Sequence, residues 1–468
     1  MIPTSLGALA DITGGRLHAA SPDEAGAIVV DGPVVTDSRE AGPGSLYVAR
    51  VGESADGHDF VPGAAAAGAV AALTTREVDG LPCLVVEDEQ AAFVAIARHL
   101  VDSRPEMTVI GITGSSGKTS TKDLLGSVLE TAGETVAPVG SYNSEVGVPL
   151  TVCRVTPTTA HLVVEMGARG IGHIDYLTRI APPRIGIVLN VGHAHVGEFG
   201  SVEAIAEAKG ELPAALPADG VAVLNADDPL VAAMAERTTA RVVLVGESET
   251  ADVRATDVTV DETGAASFTV TAPFGTARVR LGLIGRHHVG NALAVIAAAE
   301  AAGMTLDQVV PALETARPLS RWRMEVSRRD DGVVVVNDAY NANPDSMSAA
   351  LRSLASMSTT GRRWAVLGAM LELGEASAEL HAAVGREAAE LGTDEILVVG
   401  EVAEPIAAGA RDNAREDGPH VRVVPDADAA EAVLAAELAA PDVVLLKSSR
   451  DAGLRWLGDR IVQREARA

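Results

Sequence analysis

The sequence predicts an α/β protein of three domains. At 468 residues the chain is too long for one ordinary hydrophobic core. In two long stretches, short apolar runs alternate with helical patterns, which is typical of a mostly parallel sheet covered by helices. Proline-bearing joints at residues 99–107 and 314–324 divide the chain. We therefore expect domains at residues 1–105, 106–316 and 317–468, the last of them Rossmann-like.

The N-terminal part of the chain contains short strands and turns, followed by an alanine-rich stretch, PGAAAAGAVAAL, that we predict to be helical. Its first residues contain no basic segment followed by a long apolar core, and no apolar run is long enough to span a bilayer. We therefore expect a cytoplasmic protein. Cys83 and Cys153 lie in apolar, strand-like surroundings, which predicts two buried free thiols with no catalytic role.

The charge and the aromatic content limit the classes of partner. The formal net charge is −27, and a field of that sign repels nucleic acid and anionic membranes. Aromatic residues make up only 3% of the chain, so we expect no stacking surface for single-stranded nucleic acid. If the substrates are anionic, local Arg and Lys side chains must bind them.

A phosphate-binding loop follows the first predicted strand of the central stretch. The run VIGIT leads into GSSGKTSTK and then into a helical pattern. In such a loop the backbone N–H groups and the helix N-terminus bind phosphate, Lys118 neutralises its charge, and Thr119 can bind Mg²⁺. Ile112 stands where a strict Walker A motif has its first glycine, so the motif is the shorter G-x-x-G-K-T. The predicted phosphate-binding residues are Gly114, Ser115, Ser116, Gly117, Lys118, Thr119 and Ser120.

Other polar residues of the central stretch follow predicted strands, where open α/β sheets bind ligands. Glu165 ends the run HLVVE and is placed to bind Mg²⁺ with Thr119, although a solvated strand end is an equal reading. His195 follows the run IGIVLN, and its position favours a functional residue over a structural one. Lys209 lies in the charged helical pattern EAIAEAKGEL, and its residues alone favour an exposed lysine. In GRHHVGNALA, a helix start places the Asn291 amide where it could contact a nucleobase.

The third stretch contains five further apolar runs, VVVVND, RRWAVLG, EILVVG, HVRVVP and DVVLLKSS, enough for a separate parallel sheet. The loop DAYNANP after the first run is too polar to be a simple connection, although Asn and Pro are also ordinary turn residues. It contains Asp338, Tyr340, Asn341 and Asn343. Lys447 and Arg450 follow the last run and suit an anionic substrate group.

Together these segments resemble the Mur ligases, the ATP-dependent amide-forming enzymes of peptidoglycan precursor synthesis. The matching segments occur in the family's order and cover nearly the whole chain: ITGSSGKTSTK, YNSEVGVPL, EMGARGIGHI, NVGHAHVGEFGS, AKGEL, LNADDP, GRHHVGNALA and DAYNANPDSM. EMGA, HVGEFGS and DAYNANP resemble the MurF type, which adds D-Ala-D-Ala to UDP-MurNAc-tripeptide. The N-terminal segments TDSRE and DGHDFVPGAAAAGA resemble the family's UDP-binding domain.

The resemblance implies a role for each matching position. Lys118 and the loop amides would bind the ATP phosphates, with Thr119 and Glu165 on Mg²⁺. His195 matches a histidine at a second Mg²⁺. Lys209 matches a lysine that the family carries as a metal-bridging carbamate. For Lys209 the resemblance therefore replaces the exposed lysine that its neighbouring residues alone favour. The resemblance also implies binding of ATP by Asn291, Arg323 and Asp338, and of the peptide or UDP substrates by Ser38, Arg39, Asn143, Tyr340, Asn341 and Asn343.

The implied reaction starts when the tripeptide carboxylate attacks the γ-phosphate of ATP, and the D-Ala-D-Ala amine then attacks the resulting acyl phosphate. His288, Ser144 and Ser448 depart from the family pattern, and only His288 could alter contacts with the adenosine. We expect a monomer. Three alternatives remain at this point: a tripeptide-forming ligase of the same family, a folylpolyglutamate synthetase, and a regulatory or motor ATPase of a different class. The tripeptide-forming type would be favoured by a D-N-P-R-like motif in the last domain, which this sequence does not contain. A folylpolyglutamate synthetase would lack the UDP-type first domain.

Overall fold

The computed structural model of the chain describes residues 1–52, 54–138, 140–192, 196–412 and 418–463. Its strands form a two-stranded ribbon and three larger sheets of five, nine and six strands. Parallel pairs predominate in each of the larger sheets, and helices alternate with the strands along the chain. The α/β class with mostly parallel sheets is therefore confirmed.

The N-terminal sheet has the order β2-β7-β6-β5-β4, and only β2 runs antiparallel to its neighbour. Its elements, with the ribbon β1–β3, are β1 (Thr4–Ser5), α1 (Leu6–Thr13), β2 (Arg16–His18), α2 (Pro22–Ala27), β3 (Val29–Val30), β4 (Val34–Val35), β5 (Leu46–Val48), α3 (Val61–Ala67), β6 (Ala71–Thr74), β7 (Cys83–Val85) and α4 (Glu89–Asp102). The helix predicted over PGAAAAGAVAAL is wrong in its second half. Gly68 ends α3 in a left-handed conformation with φ 110°, and the apolar run after it forms the fully buried strand β6.

The central sheet has the order β16-β15-β14-β13-β12-β11-β8-β10-β9. Its elements are β8 (Thr108–Thr113), α5 (Lys118–Glu130), β9 (Thr135–Val136), α6 (Gly147–Val152), β10 (His161–Glu165), α7 (His173–Ile180), β11 (Ile185–Val188), α8 (Val196–Phe199), α9 (Val202–Lys209), α10 (Glu211–Ala214), β12 (Val221–Asn225), α11 (Pro229–Ala232), β13 (Arg241–Gly246), β14 (Val253–Val260), β15 (Ala265–Ala272), β16 (Gly275–Ile284), α12 (His288–Ala301) and α13 (Leu306–Thr315). The runs VIGIT, HLVVE and IGIVLN form the strands β8, β10 and β11, as predicted. The antiparallel extension β14–β16 was not predicted, because its alternating polar residues give no continuous apolar run.

The C-terminal sheet has the order β17-β18-β22-β19-β20-β21, with every pair parallel except β17–β18. Its elements are β17 (Glu325–Arg328), β18 (Val334–Asn337), α14 (Pro344–Ser356), β19 (Arg363–Leu367), α15 (Ser377–Glu390), β20 (Glu395–Val399), α16 (Glu404–Asp412), β21 (His420–Val424), α17 (Ala427–Glu437), β22 (Val443–Lys447) and α18 (Leu454–Gln463). The five predicted apolar runs are its five parallel strands.

The hydrophobic cores lie on the faces of these sheets. One buried cluster joins the N-terminal and central sheets, since Phe93 of α4 belongs to the same cluster as Leu162 and Val164 of β10. A second cluster fills the other face of the central sheet beneath α5, α12 and α13, and two more cover the faces of the C-terminal sheet. Burial of both sheet faces leaves the loops at the carboxyl ends of the strands accessible to ligands.

Both cysteines are free and buried, as predicted. Cys83 lies in β7, whereas Cys153 caps the helix α6, so the strand-like reading of its surroundings is wrong. Burial raises the pKa of Cys153 to about 12, so this thiol is unreactive at neutral pH. Within the described ranges, no helix is both long enough and apolar enough to cross a membrane.

Candidate active site

The phosphate-binding loop lies between β8 and α5, at the carboxyl edge of the central sheet. Gly117 caps α5 with φ 80°, and a Cβ atom at this position would lie 2.9 Å from Asn291 Oδ1, so only glycine fits. Asn190 braces the loop, because its side-chain oxygen accepts the Ser116 N–H at 2.9 Å and its backbone oxygen accepts the Ser115 N–H at 3.1 Å. No side chain caps α5, so its first N–H groups can bind an anion.

Lys118, the first residue of α5, lies inside this loop. Its ammonium donates to the Gly114 carbonyl oxygen at 2.6 Å. Burial lowers the pKa of Lys118, while the nearby Glu165 carboxylate opposes this shift. A bound phosphate would add negative charge next to this amine and so favour its protonated form.

The side chains next to Lys118 form a cluster of oxygen donors. Thr119 Oγ1 donates to Glu165 Oε2 at 2.9 Å and lies 2.8 Å from Ser141 Oγ. Asn143 Nδ2 donates to the other oxygen of Glu165 at 2.7 Å and so fixes the orientation of the carboxylate. Glu165 is only 1% exposed. A hydroxyl and a carboxylate are ligands that Mg²⁺ prefers, so these residues fit the ion that the sequence predicts. Ser141 was missed by the sequence reasoning.

The other two predicted metal ligands are Lys209 and His195. Lys209 ends α9 and is 5% exposed, so the exposed lysine favoured by its residues alone is wrong. Burial, and then the positive charge of Lys118, hold the pKa of Lys209 well below its usual range. His195 lies outside the described residues, as does His193. In the described part of the chain no three His, Cys, Asp or Glu side chains form a metal site.

The segment after the central sheet brings Arg323 to the phosphate-binding loop. Its Nη2 atom lies 3.1 Å from Ser141 Oγ and 3.5 Å from Thr119 Oγ1. Its guanidinium stacks on the Tyr340 ring at 4.4 Å from the ring centre. Asn343 caps α14 and donates to the Ser115 carbonyl oxygen at 3.4 Å. Residues of the C-terminal stretch therefore contact the phosphate-binding loop directly.

Lys447 and Arg450, the two residues predicted at the end of the last strand, differ in exposure. Arg450 is exposed, and its guanidinium lies 5.9 Å from the Tyr340 ring centre. Lys447, predicted to bind an anionic substrate group, is only 2% exposed. Its ammonium donates to Asp338 Oδ2 at 2.5 Å and to the Asn341 carbonyl oxygen at 3.1 Å. These contacts assign Lys447 to the support of the loop 338–343.

We expect the Lys447→Met variant to lose about 3–5 kcal/mol of unfolding free energy, because the buried Asp338 carboxylate would keep its charge without a partner. Differential scanning calorimetry measures the loss. The Lys447→Met/Asp338→Asn variant should recover much of it, since the amide is neutral and still accepts the Met324 N–H. Equal losses in the two variants would contradict this role.

The remaining predicted residues are Asn291, Ser38 and Arg39, and of these Asn291 contacts the phosphate-binding loop. Asn291 packs against Gly117, and its Nδ2 atom lies 3.2 Å from Nδ1 of His288, which is buried with a pKa well below the usual range because of desolvation. Ser38 and Arg39 form a short 3-10 helix in the N-terminal part, where Arg39 pairs with Asp37 at 2.5 Å. Among the described residues, no hydrogen bond links Ser38 or Arg39 to the phosphate-binding loop.

Three family models match this chain. The model of the Mur ligase middle domain matches residues 112–299, and that of the Mur ligase glutamate ligase domain matches residues 322–450. The model of the Mur ligase family catalytic domain matches residues 33–102. Each of the three larger sheets lies largely within one of these matches.

Named relatives match the chain over almost its full length. The UDP-N-acetylmuramoyl-tripeptide–D-alanyl-D-alanine ligase of Mycobacterium tuberculosis is 46% identical over 99% of this chain and 98% of the relative. The Escherichia coli ligase of the same name is 36% identical over 88% of this chain and 89% of the relative.

Solved structures agree with these relatives. MurF of Acinetobacter baumannii superposes with a TM-score of 0.87 at 31% identity, covering 99% of both chains. MurF ligase of Thermotoga maritima in complex with ADP gives a TM-score of 0.79 at 30% identity, covering 92% of this chain and 97% of that chain. The chain therefore belongs to the Mur ligase family, and within it to the MurF type.

Proposed function

We propose that this chain joins D-Ala-D-Ala to UDP-MurNAc-tripeptide and converts ATP to ADP and phosphate in the same reaction. The observation that carries this function is the contact of Thr119 with Glu165 beside Lys118, which combines a phosphate-binding loop with a carboxylate for Mg²⁺. The names of the full-length relatives and the ADP complex of a MurF structure support the same reaction.

Thr119 and Glu165 would hold Mg²⁺ beside the β- and γ-phosphates of ATP. When bound, Mg²⁺ supplies positive charge that stabilises the phosphoryl group during transfer. Asn143 would keep the Glu165 carboxylate in the orientation that faces the loop. We assign a second Mg²⁺ to His195 and a modified Lys209, following the family resemblance.

The modification proposed for Lys209 is a carbamate. Burial of this side chain disfavours its charged form. A neutral amine can attack the carbon of CO₂, form an N–C bond and release one proton, which leaves a carboxylate on the nitrogen. Such a group would turn a lysine next to Lys118 from a repelling cation into an oxygen ligand.

The ligation itself takes two steps. The terminal carboxylate of the tripeptide attacks the γ-phosphorus, the bond to the β-phosphate oxygen breaks, and ADP leaves. Lys118 and Arg323 would neutralise the charge on the transferring group. The amine of D-Ala-D-Ala then attacks the acyl carbon, loses a proton and expels phosphate, which leaves an amide. Exclusion of water from the site during the reaction would protect the acyl phosphate from hydrolysis.

Each stretch of the chain has a part in this scheme. Residues 1–105 would bind the UDP group near Ser38 and Arg39. Residues 106–316 would bind ATP, with Asn291 at the adenine. Residues 317–468 would bind the incoming amine near Tyr340, Asn341, Asn343 and Arg450. Asp338, which forms an ion pair with Lys447, would hold the loop 338–343 next to the bound ATP. We propose a monomer acting in the cytoplasm.

The test is phosphate release from Mg-ATP by the purified protein, with each substrate added alone and then both together. We expect release only with both, accompanied by a UDP-linked pentapeptide detected by mass spectrometry. Release without either substrate would favour a regulatory ATPase and overturn the proposed function. Release with the tripeptide and a free amino acid, but not with D-Ala-D-Ala, would indicate another ligase of the family.

A further inference from the structure

Lysine is rare in this chain. Only four of its 37 Lys and Arg residues are lysine, so arginine supplies nearly every surface cation. Lys118 lies in the phosphate-binding loop, and the other three are buried, with Lys122 only 1% exposed. Because this chain otherwise uses arginine, we infer that each buried lysine occupies a site that fits a compact ammonium group but not a planar guanidinium group. The reaction scheme proposed above assigns no role to Lys122.

Lys122 lies one turn into α5, behind the phosphate-binding loop. Its ammonium has three protons and three acceptors: the Asp123 carboxylate, the Pro138 carbonyl oxygen at 2.9 Å and Ser320 Oγ at 3.3 Å. The other oxygen of Asp123 accepts the Ser320 N–H at 2.9 Å. One buried ion pair on α5 therefore fixes two segments that are far apart in the sequence.

Both of these segments lead to the active site. Pro138 lies three residues before Ser141, and Ser320 lies three residues before Arg323. Ser141 and Arg323 meet at 3.1 Å, and both approach Thr119, at 2.8 and 3.5 Å. Lys122 therefore contacts both segments, and three residues further along the chain the two segments meet next to Thr119.

We propose that Lys122 is a positioning residue for the ligase reaction, which holds Arg323 and Ser141 against the phosphate-binding loop through Ser320 and Pro138. The inference rests on the proposed function, because Arg323 is there assigned to the transferring phosphoryl group. Lys122 acts only through these two segments, since all three of its protons are taken by protein acceptors.

A double-mutant cycle between Ser320 and Arg323 tests the proposal. Ser320→Ala removes one acceptor of Lys122 and keeps the ion pair, and we expect kcat to fall about tenfold, the loss of one charge-assisted hydrogen bond. In an Arg323→Gln background the same change should lower kcat less than about twofold, because the residue it positions is gone. Ser127→Ala is the matched control, since it removes a hydrogen bond of 3.0 Å to the Asp123 backbone oxygen on the same helix and leaves the side-chain contacts of Lys122 and Asp123 in place.

A second variant separates positioning from stability. Lys122→Met alone leaves a buried Asp123 charge without its partner and should lower the thermal unfolding midpoint. Lys122→Met/Asp123→Asn removes both charges and keeps an acceptor for Ser320, so the midpoint should return while kcat stays at least about tenfold low. Wild-type kcat in this pair, or equal effects of Ser320→Ala in both backgrounds, would overturn the proposal. Wild-type protein that forms no pentapeptide would instead overturn the proposed function.

Discussion

Replacement of Lys118 by methionine is expected to lower kcat by about 10³-fold. The methionine keeps the length of the side chain but removes the positive charge that lies inside the phosphate-binding loop. Because charge on the transferring phosphoryl group is stabilised mainly by preorganised cations, the loss falls on the transition state. Steady-state phosphate release with both substrates present measures the effect.

Arg184→Met is the matched control for this variant. Arg184 is an exposed residue that directly precedes β11, paired with Asp219 at 2.8 Å, and its replacement changes the net charge by the same amount. We expect it to keep nearly full activity. A Lys118→Met variant with more than about one tenth of the wild-type kcat would show that this loop does not bind the reacting phosphates.

Lys209→Ala should lose most of its activity, by about 10²–10³-fold in kcat, if Lys209 carries a carbamate at the metal. A short-chain carboxylic acid such as acetate should restore part of the loss, because its carboxylate can occupy the space that the carbamate leaves. Kinetics at several acetate concentrations, with ionic strength held constant by chloride, measure the rescue.

Glu203→Gln provides a control on the same helix, since Glu203 is exposed and lies near the N-terminus of α9. It should retain wild-type activity with or without acetate. Full activity in Lys209→Ala would refute the metal-bridging role. Loss of activity without any rescue by acetate would argue for a purely structural lysine, and the intact mass at neutral and acidic pH then decides whether the carbamate is present.

The parallel strands could be predicted because each is buried on both faces and therefore reads as a continuous apolar run. The antiparallel strands β14–β16 could not, since half of their side chains face solvent and the apolar signal is diluted. The second half of PGAAAAGAVAAL was mispredicted for a different reason. Alanine favours a helix locally, but the sheet requires a buried strand at Ala71–Thr74, and tertiary packing prevails.

The candidate site was predicted where one sequence segment contains the chemistry, as in the loop 114–120, or where a strand end places a side chain, as at Glu165. Lys209 was misjudged from its residues, because neighbouring glutamates in the sequence do not reveal that the end of α9 is buried. Ser141 and Lys122 carry no motif of their own. Their importance follows only from contacts between segments up to 198 residues apart.

The most direct test of the ligase mechanism follows an oxygen atom. UDP-MurNAc-tripeptide is labelled with ¹⁸O at both oxygens of its terminal carboxylate and incubated with Mg-ATP and D-Ala-D-Ala, and the released phosphate is examined by mass spectrometry. An acyl phosphate transfers one carboxylate oxygen to phosphorus, so we expect one ¹⁸O atom in each phosphate released and one in the new amide. Phosphate without ¹⁸O would mean that water attacks ATP, and it would contradict the account.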